Sequence, residues 1–254
     1  MELGLDGRVA VVTGASRGIG LEIVRALRAE GADVLAAART ALTENGVRTL
    51  AADLTTPAGV ADLAERAGEV DILVNNLGGV EPDSMRAGGF LDVPDDAWLR
   101  TFELNLFATV RVTRTLLPGL LRRRGVVINI SSIGARAAYP PVDYGAAKAA
   151  LTNLSKALAE EFGPRGLRVL TVSPGPTRTA NWADPAGYAG LLAATEGVPL
   201  ADFLAEVPAR MGITTGRLTE PAETAALVAF LASARAGNLT GADYLADGGV
   251  LKAV

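Results

Sequence analysis

The chain has 254 residues, 49% of them hydrophobic and 20% charged, a composition that suits one folded domain and excludes a disordered tail protein. Its 24 Lys and Arg against 28 Asp and Glu give a net charge of −4, which argues against general binding of nucleic-acid phosphates. With no Cys and no His, the sequence excludes disulfides, thiolate nucleophiles, Cys or His metal sites and every Ser-His-Asp mechanism; acid–base chemistry falls to Tyr, Lys, Asp or Glu.

Residues 1–7 hold two acids and no long apolar run, so no signal peptide is expected. No apolar run approaches the roughly 20 residues of a membrane span. The expectation is a cytoplasmic protein with no membrane contact. Short Val/Ile/Leu-rich runs then alternate with longer stretches of helical period. Strands are predicted at Arg8–Thr13, Asp33–Ala38, Val47–Ala52, Val70–Asn75, Gly125–Ser131, Leu167–Val172 and Ala242–Ala246. Helices are predicted at Gly18–Glu30, Pro57–Gly68, Pro94–Leu120, Tyr144–Phe162 and Pro221–Ser233. Within the third helix Leu99, Phe102, Leu106 and Val110 form one apolar stripe, and Trp98 is read as core.

This alternation predicts an α/β fold: a single-domain, Rossmann-like, doubly wound parallel sheet of about seven strands with helices on both faces. Continuous apolar strands such as Val9–Val12 fit burial on both sides. A barrel of eight similar units is the rival, and the irregular stretch from Ser173 to Gly212 counts against it. The whole chain, 1–254, reads as one domain. Residues 174–217 carry Trp182, Tyr188, Phe203, Leu204 and Met211 among several Pro and Gly. They form either a substrate lid or a helical pair packed on the core. Arg122, Arg123 and Arg124 end a helix, where cations complement the dipole.

Gly14, Ser16, Arg17, Gly18, Ile19 and Gly20 lie in a glycine-rich turn between the first strand and the first helix. Such a turn lets a backbone approach a pyrophosphate and presents it with helix N–H donors. An acid about 20 residues beyond the glycines would bind a ribose 2′-hydroxyl. Here Ala36-Ala37-Ala38-Arg39 supplies a cation instead, and Arg17 adds a second. Two guanidinium groups suit a 2′-phosphate, so NADP(H) is favoured over NAD(H); the alternative is two solvated surface arginines. Tyr144 and Lys148 stand four apart on one helix face, where an ammonium would lower a phenol's pKa from about 10.

Together these motifs resemble the short-chain dehydrogenase/reductase family, in its single-domain branch. The likeness runs through TGASRGIG, Asp53, Asn75-Asn76-Leu77-Gly78, Asn105, Asn129-Ile130-Ser131-Ser132, Tyr144 with Lys148, Ser173-Pro174-Gly175 with Thr179, and Asp247-Gly248-Gly249. The resemblance implies that Tyr144 protonates a carbonyl oxygen as hydride reaches its carbon, or takes the proton in reverse. It implies that Lys148 lowers the phenol's pKa and holds the nicotinamide ribose, and that Asn105 supports a proton-supplying water. Asp53 and Leu54 would contact adenine, Asn76 and Gly78 would line the adenosine side, and Pro174, Gly175, Thr177 and Thr179 would flank the carboxamide end. Counting from the strand at Asn129 selects Ser132 as the substrate-binding serine. Counting back from Tyr144 by the family's common spacing selects Ser131. The strand anchor is preferred, because a loop can lose a residue where a strand cannot slip without reversing its faces.

Three details depart from the pattern or add to it. Leu77 replaces a smaller residue beside the adenosine site, and Gly79, two residues on, is read as relieving its bulk. Asp143 precedes Tyr144 and is expected to be solvated, since adjacent helix positions diverge. Tyr139 lacks a lysine four residues on and reads as a substrate-wall or core residue. The expected activity is ketoreductase-like, interconverting a carbonyl and a secondary alcohol without a metal. Reduction of C=C or C=N bonds, epimerisation, and a non-catalytic NADP(H) sensor remain alternatives. A homotetramer is expected, with a dimer as the smaller possibility.

Overall fold

A computed structural model describes residues 2–252. Seven strands, β1 (Val9–Thr13), β2 (Asp33–Ala38), β3 (Arg48–Ala51), β4 (Ile72–Asn75), β5 (Val126–Ile130), β6 (Arg168–Pro174) and β7 (Asp243–Ala246), form one sheet in the order β3-β2-β1-β4-β5-β6-β7. Every pairing is parallel. The side-chain period of two explains why these strands are apolar throughout. Ala10, Val12, Val34, Ala36, Ile72 and Val74 point to one face, while Val11, Leu35, Ala37 and Leu73 point to the other.

The first face is covered by α1 (Gly18–Ala29) and α10 (Pro221–Ala232), through Ile23, Val24, Leu27, Val228 and Leu231. The second is covered by α2 (Pro57–Ala67), α5 (Ala108–Arg122) and α6 (Val142–Phe162), through Val60, Leu63, Val112, Leu116 and Ala159. A barrel is thereby excluded. Strand order reverses between β1 and β4, and in open parallel sheets the crevice outside such a reversal is where ligands bind.

The predicted helix Pro94–Leu120 is broken. α4 (Asp95–Phe102) passes into a π-helical turn (Glu103–Phe107) before α5 resumes and runs on to Arg122. A π-turn carries an extra residue per turn and rotates everything before it, which undoes the single apolar stripe read from the sequence. Leu99 is 69% exposed and Phe107 43% exposed. Trp98 is half-buried rather than core, set between Phe90 and Phe102 at ring distances of 6.3 and 6.2 Å. A further short helix, α3 (Pro82–Arg86), precedes this segment. The irregular stretch after β6 folds as α7 (Ala180–Ala183), α8 (Tyr188–Glu196) and α9 (Leu200–Arg210) around its own apolar cluster of Ala189, Ala193, Phe203, Val207 and Ile213. Ile133 and Val250 join that cluster and fix it to the body. Arg122 and Arg123 at the end of α5 pair with Glu69 and Asp71.

Near the carboxyl ends of the central strands a buried polar ladder fastens both helices to the sheet. Asn75 Nδ2 donates to Asn129 Oδ1 (2.8 Å) and Thr113 Oγ1 (3.0 Å), and Asn129 Nδ2 donates to Ser155 Oγ (2.8 Å). Asn129→Ala leaves Asn75 and Ser155 with lost partners in a dry core. It should lower unfolding free energy by about 2–3 kcal/mol, read as a lower urea midpoint with an unchanged slope.

Candidate functional site

The glycine turn after β1 is built for close approach. A Cβ on Gly20 would stand 2.4 Å from both Asn76 Nδ2 and the Gly14 carbonyl. Gly14 takes φ +63°, in the left-handed region that glycine enters freely. Asn76 braces this turn from β4's end, its Nδ2 donating to the carbonyls of Thr13 (3.2 Å) and Gly14 (3.0 Å). Thr13 Oγ1 accepts from the backbone N–H groups of Asn76 and Leu77, both at 3.1 Å. The Leu77 side chain packs into the second-face core, away from the turn.

Ile19 opens α1 beside Gly18, and Ser16 sits half-exposed before Arg17, the N-cap residue. Arg17 and Arg39 are both exposed, and among the described residues neither makes an ion pair. Arg39 stands near enough to Asp53 to help hold that carboxyl below its usual range, behind the stronger effect of hydrogen bonds from Thr55. Asp53 Oδ1 accepts from Thr55 N (3.0 Å) and Oγ1 (2.7 Å). The Leu54 side chain is buried in the core, so only its backbone can face an adenine.

The other half of the site gathers at the ends of β4, β5 and β6. Lys148 is 3% exposed and its Nζ donates to the Ile130 carbonyl at 2.9 Å, which uses one of its three protons. Burial lowers its pKa to about 8. Asn105 lies in the π-turn, fully buried; its Oδ1 accepts from Gly79 N (3.0 Å), and its Nδ2 donates to Gly79 O (2.8 Å) and Thr101 O (3.0 Å). Gly78 fits only without a side chain, since a Cβ would lie 2.7 Å from Asn105 Oδ1 and 2.9 Å from Lys148 Nζ. Gly79 holds Asn105 in place through its backbone N–H and carbonyl.

Tyr144 is half-buried, with Lys148 Nζ 5.7 Å from its ring centroid. Burial pushes its phenol above the ordinary value, and Ser132 offsets part of that. The direction is opposite to the lowering expected from a neighbouring ammonium: desolvation outweighs the hydrogen bond from Ser132, and the phenol keeps its proton well past neutrality. The two serines are distinct. Ser132 stands by Tyr144 and accepts from Gly134 N at 3.1 Å, while Ser131 is buried behind, bonded to Thr152 Oγ1 (2.8 Å) and Lys148 O (3.2 Å).

Pro174 ends β6, and Gly175 N donates to the Ala246 carbonyl at 3.1 Å. Thr177 is buried and its hydroxyl is turned back onto the Gly175 carbonyl (2.9 Å). Thr179 is half-exposed, and its Cγ2 would lie 3.1 Å from a Cβ on Gly18, so it faces the glycine turn across the crevice. Tyr139 packs with the apolar cluster of α8 and α9, and Tyr188 Oη donates to the Pro140 carbonyl at 3.2 Å.

Asp143 corrects an expectation. It is not solvated but fully buried, its Oδ2 accepting from Ser84 Oγ (2.6 Å) and Thr101 Oγ1 (2.5 Å). Its direction does diverge from that of Tyr144, but into the packing of α3 and α4. Sequence reading does not reveal the Thr101 hydroxyl or the backbone roles of Ile130 and Gly79. The last two act through backbone atoms, which no side-chain pattern reveals. A polar Asn105 on an otherwise apolar helix stripe was the available signal.

The residues fit a dinucleotide: a glycine cradle, two free guanidinium groups, and a buried ammonium with donors to spare. The family model described as "Enoyl-(Acyl carrier protein) reductase" matches residues 14–251. The chain is 34% identical over 265 residues to the 3-oxoacyl-(acyl-carrier-protein) reductase of Salmonella typhimurium, covering 98% of this chain and 99% of that protein. It is 33% identical to the L-xylulose reductase of Bos taurus, covering 99% of each. The solved structure of L-sorbose reductase from Gluconobacter frateurii, complexed with NADPH and L-sorbose, superposes with a TM-score of 0.87 at 34% identity over all of both chains. The chain belongs to the short-chain dehydrogenase/reductase family.

The two serines give the first test of this geometry. Ser132→Ala should lower kcat by about 10²-fold, in the range for losing a positioned donor. Ser131→Ala should act mainly on thermal stability. Steady-state kinetics beside melting curves checks both; the opposite ranking of kcat would exchange their roles.

Proposed function

We propose that this protein is an NADP(H)-dependent oxidoreductase that interconverts a ketone and a secondary alcohol, with Tyr144 as the proton donor. The observation that carries the reading is the half-buried phenol of Tyr144 beside Ser132, one helical turn before the buried Lys148, whose Nζ lies 5.7 Å from the phenol's ring centroid. When bound, the reduced nicotinamide supplies hydride to the carbonyl carbon. Tyr144 gives its proton to the carbonyl oxygen, and burial keeps that proton in place until a substrate needs it. Ser132 donates a hydrogen bond to the same oxygen. Lys148 offers its remaining N–H groups to the nicotinamide ribose, and Asn105 holds the water through which the proton is replaced. Gly14, Ser16, Gly18, Ile19 and Gly20 take the pyrophosphate. Asp53, the backbone of Leu54, Asn76 and Gly78 frame the adenosine, and Arg17 and Arg39 bind the 2′-phosphate. Thr179, with Pro174, Gly175 and Thr177 shaping its loop, takes the carboxamide.

Residues 174–217 cover the substrate as a lid. Phe203 belongs to the lid's own core, which leaves Tyr139, Trp182 and Tyr188 as the aromatic wall. Such a wall favours aliphatic or aromatic carbonyls. The exposed apolar face of Phe90, Leu91, Leu99 and Phe107 supports self-association, and the full reading is a homotetramer, with a dimer as the smaller form. The compartment this implies is the cytoplasm, where a reductase draws on NADPH. Among the described residues no helix is long and apolar enough to cross a membrane.

Oxidation of NADPH with ethyl acetoacetate, acetophenone or L-sorbose tests the activity. Binding of NADPH without turnover of any ketone would favour a sensor. Arg39→Ala and Arg17→Ala should each weaken NADPH binding by about tenfold and leave NADH unchanged, consistent with about 1.5 kcal/mol per charge-assisted bond. Equal losses for both cofactors would contradict the 2′-phosphate reading. In reduction, kcat/KM for the ketone should hold through neutrality and fall above about pH 8. Lys148 loses its charge there, while Tyr144, raised by burial, keeps its proton longer. A profile flat to pH 10 would remove Lys148 from the mechanism.

A further inference from the structure

Asp143 is a carboxyl buried beside the proton donor that the proposed chemistry does not use. It is 0% exposed, and among the described residues it has no cationic partner. Both its hydrogen bonds arrive at Oδ2, from Ser84 in α3 and Thr101 in α4, while Oδ1 is buried and unpartnered. Burying a carboxyl with so few partners is unfavourable where an apolar residue would not be, so packing alone does not explain it. Its neighbours do. Thr101 offers its hydroxyl to Asp143 and its carbonyl to Asn105 Nδ2, and Asn105 in turn brackets Gly79. Ser84 belongs to α3, whose outer side is held by Arg100 through Asp83, with Glu81 just before the helix and Asp96 in α4. One carboxyl group therefore joins three elements at the first turn of α6, one residue before Tyr144.

Resting on the function above, we infer that Asp143 is a positioning residue: it ties α3 and α4 to the head of α6 and thereby sets Tyr144 against Asn105. Cofactor is held elsewhere, by the glycine turn and Lys148. Loss of the tie should thus reach the chemical step and spare cofactor binding. Displacement of a reacting group by about an ångström is enough to slow a reaction 10²-fold.

The test compares Asp143→Ala, Asp143→Asn, Thr101→Val and Thr101→Ser, with ethyl acetoacetate and NADPH as probes. Asp143→Ala should lose about tenfold to a hundredfold in kcat with the KM for NADPH within about twofold. Asp143→Asn keeps a carbonyl oxygen for both hydroxyls and should stay within about threefold of the native kcat. Thr101→Val should be slow and Thr101→Ser restored, a pair that decides the matter if Asp143→Ala does not fold. Amide exchange at residues 82–87 and 101–107 should rise in the Ala and Val variants alone. Native kcat in Asp143→Ala and Thr101→Val, or an Asn variant as slow as the Ala variant, overturns the inference. If the native protein reduces none of the ketones, the functional reading fails, and unchanged exchange in Asp143→Ala would separately sink the tie.

Discussion

The desolvation of Lys148 is the constraint around which this site is arranged. An ammonium in a dry interior is held at a penalty of several kcal/mol unless its protons find acceptors, and here the protein supplies one, the Ile130 carbonyl at the end of β5. That leaves a cation with unspent donors opposite the crevice where the strand order reverses. Gly78 must lack a side chain to pass it, and Asn105 must be buried to meet Gly78 and Gly79. Tyr144, one turn earlier on the same helix, is drawn into the same dry corner. The helix spacing thus does more than align two side chains; it places a proton donor and a charge in one low-dielectric volume.

The sheet supplies what that corner cannot make for itself. Parallel pairing brings the carboxyl ends of β1, β4 and β5 together, so the glycine turn, the Asn76–Gly79 segment and the Ser132 loop converge without long insertions. The Asn75–Asn129–Ser155 ladder fastens α6 to the strands beneath it. Rigid strands below and a separately packed helical cover above are a sound division of labour for a site that must hold a large cofactor and admit a small substrate.

Much of this was legible in the sequence because it depends on local periodicity. The two-faced strands read directly as apolar runs, and the TGASRGIG turn announced both its conformation and its place between strand and helix. Tyr144 and Lys148 could be paired from their spacing. What resisted reading lay in tertiary geometry. The π-turn at Glu103–Phe107 leaves no composition signal, so Leu99 and Trp98 were assigned to a core they do not enter. Asp143 looked like a solvent-facing neighbour of Tyr144, because no rule of helix spacing says that α3 will pack over it. The direction of the phenol's shift likewise depends on burial, which outweighs the hydrogen bond from Ser132 and which helix spacing does not reveal. Counting from a strand and counting along a loop gave different serines, and the backbone turn at Gly134 separates their surroundings.

The proposed function rests on a half-buried, protonated phenol at position 144 that delivers its proton to a substrate oxygen. Its most direct test is single-turnover reduction of ethyl acetoacetate by the NADPH complex of Tyr144→Phe, measured beside NADPH affinity. The rate should be lower by about 10²- to 10⁴-fold, the usual worth of a positioned acid, with affinity for NADPH unchanged. A Phe variant that reduces the ketone at the native rate would contradict it.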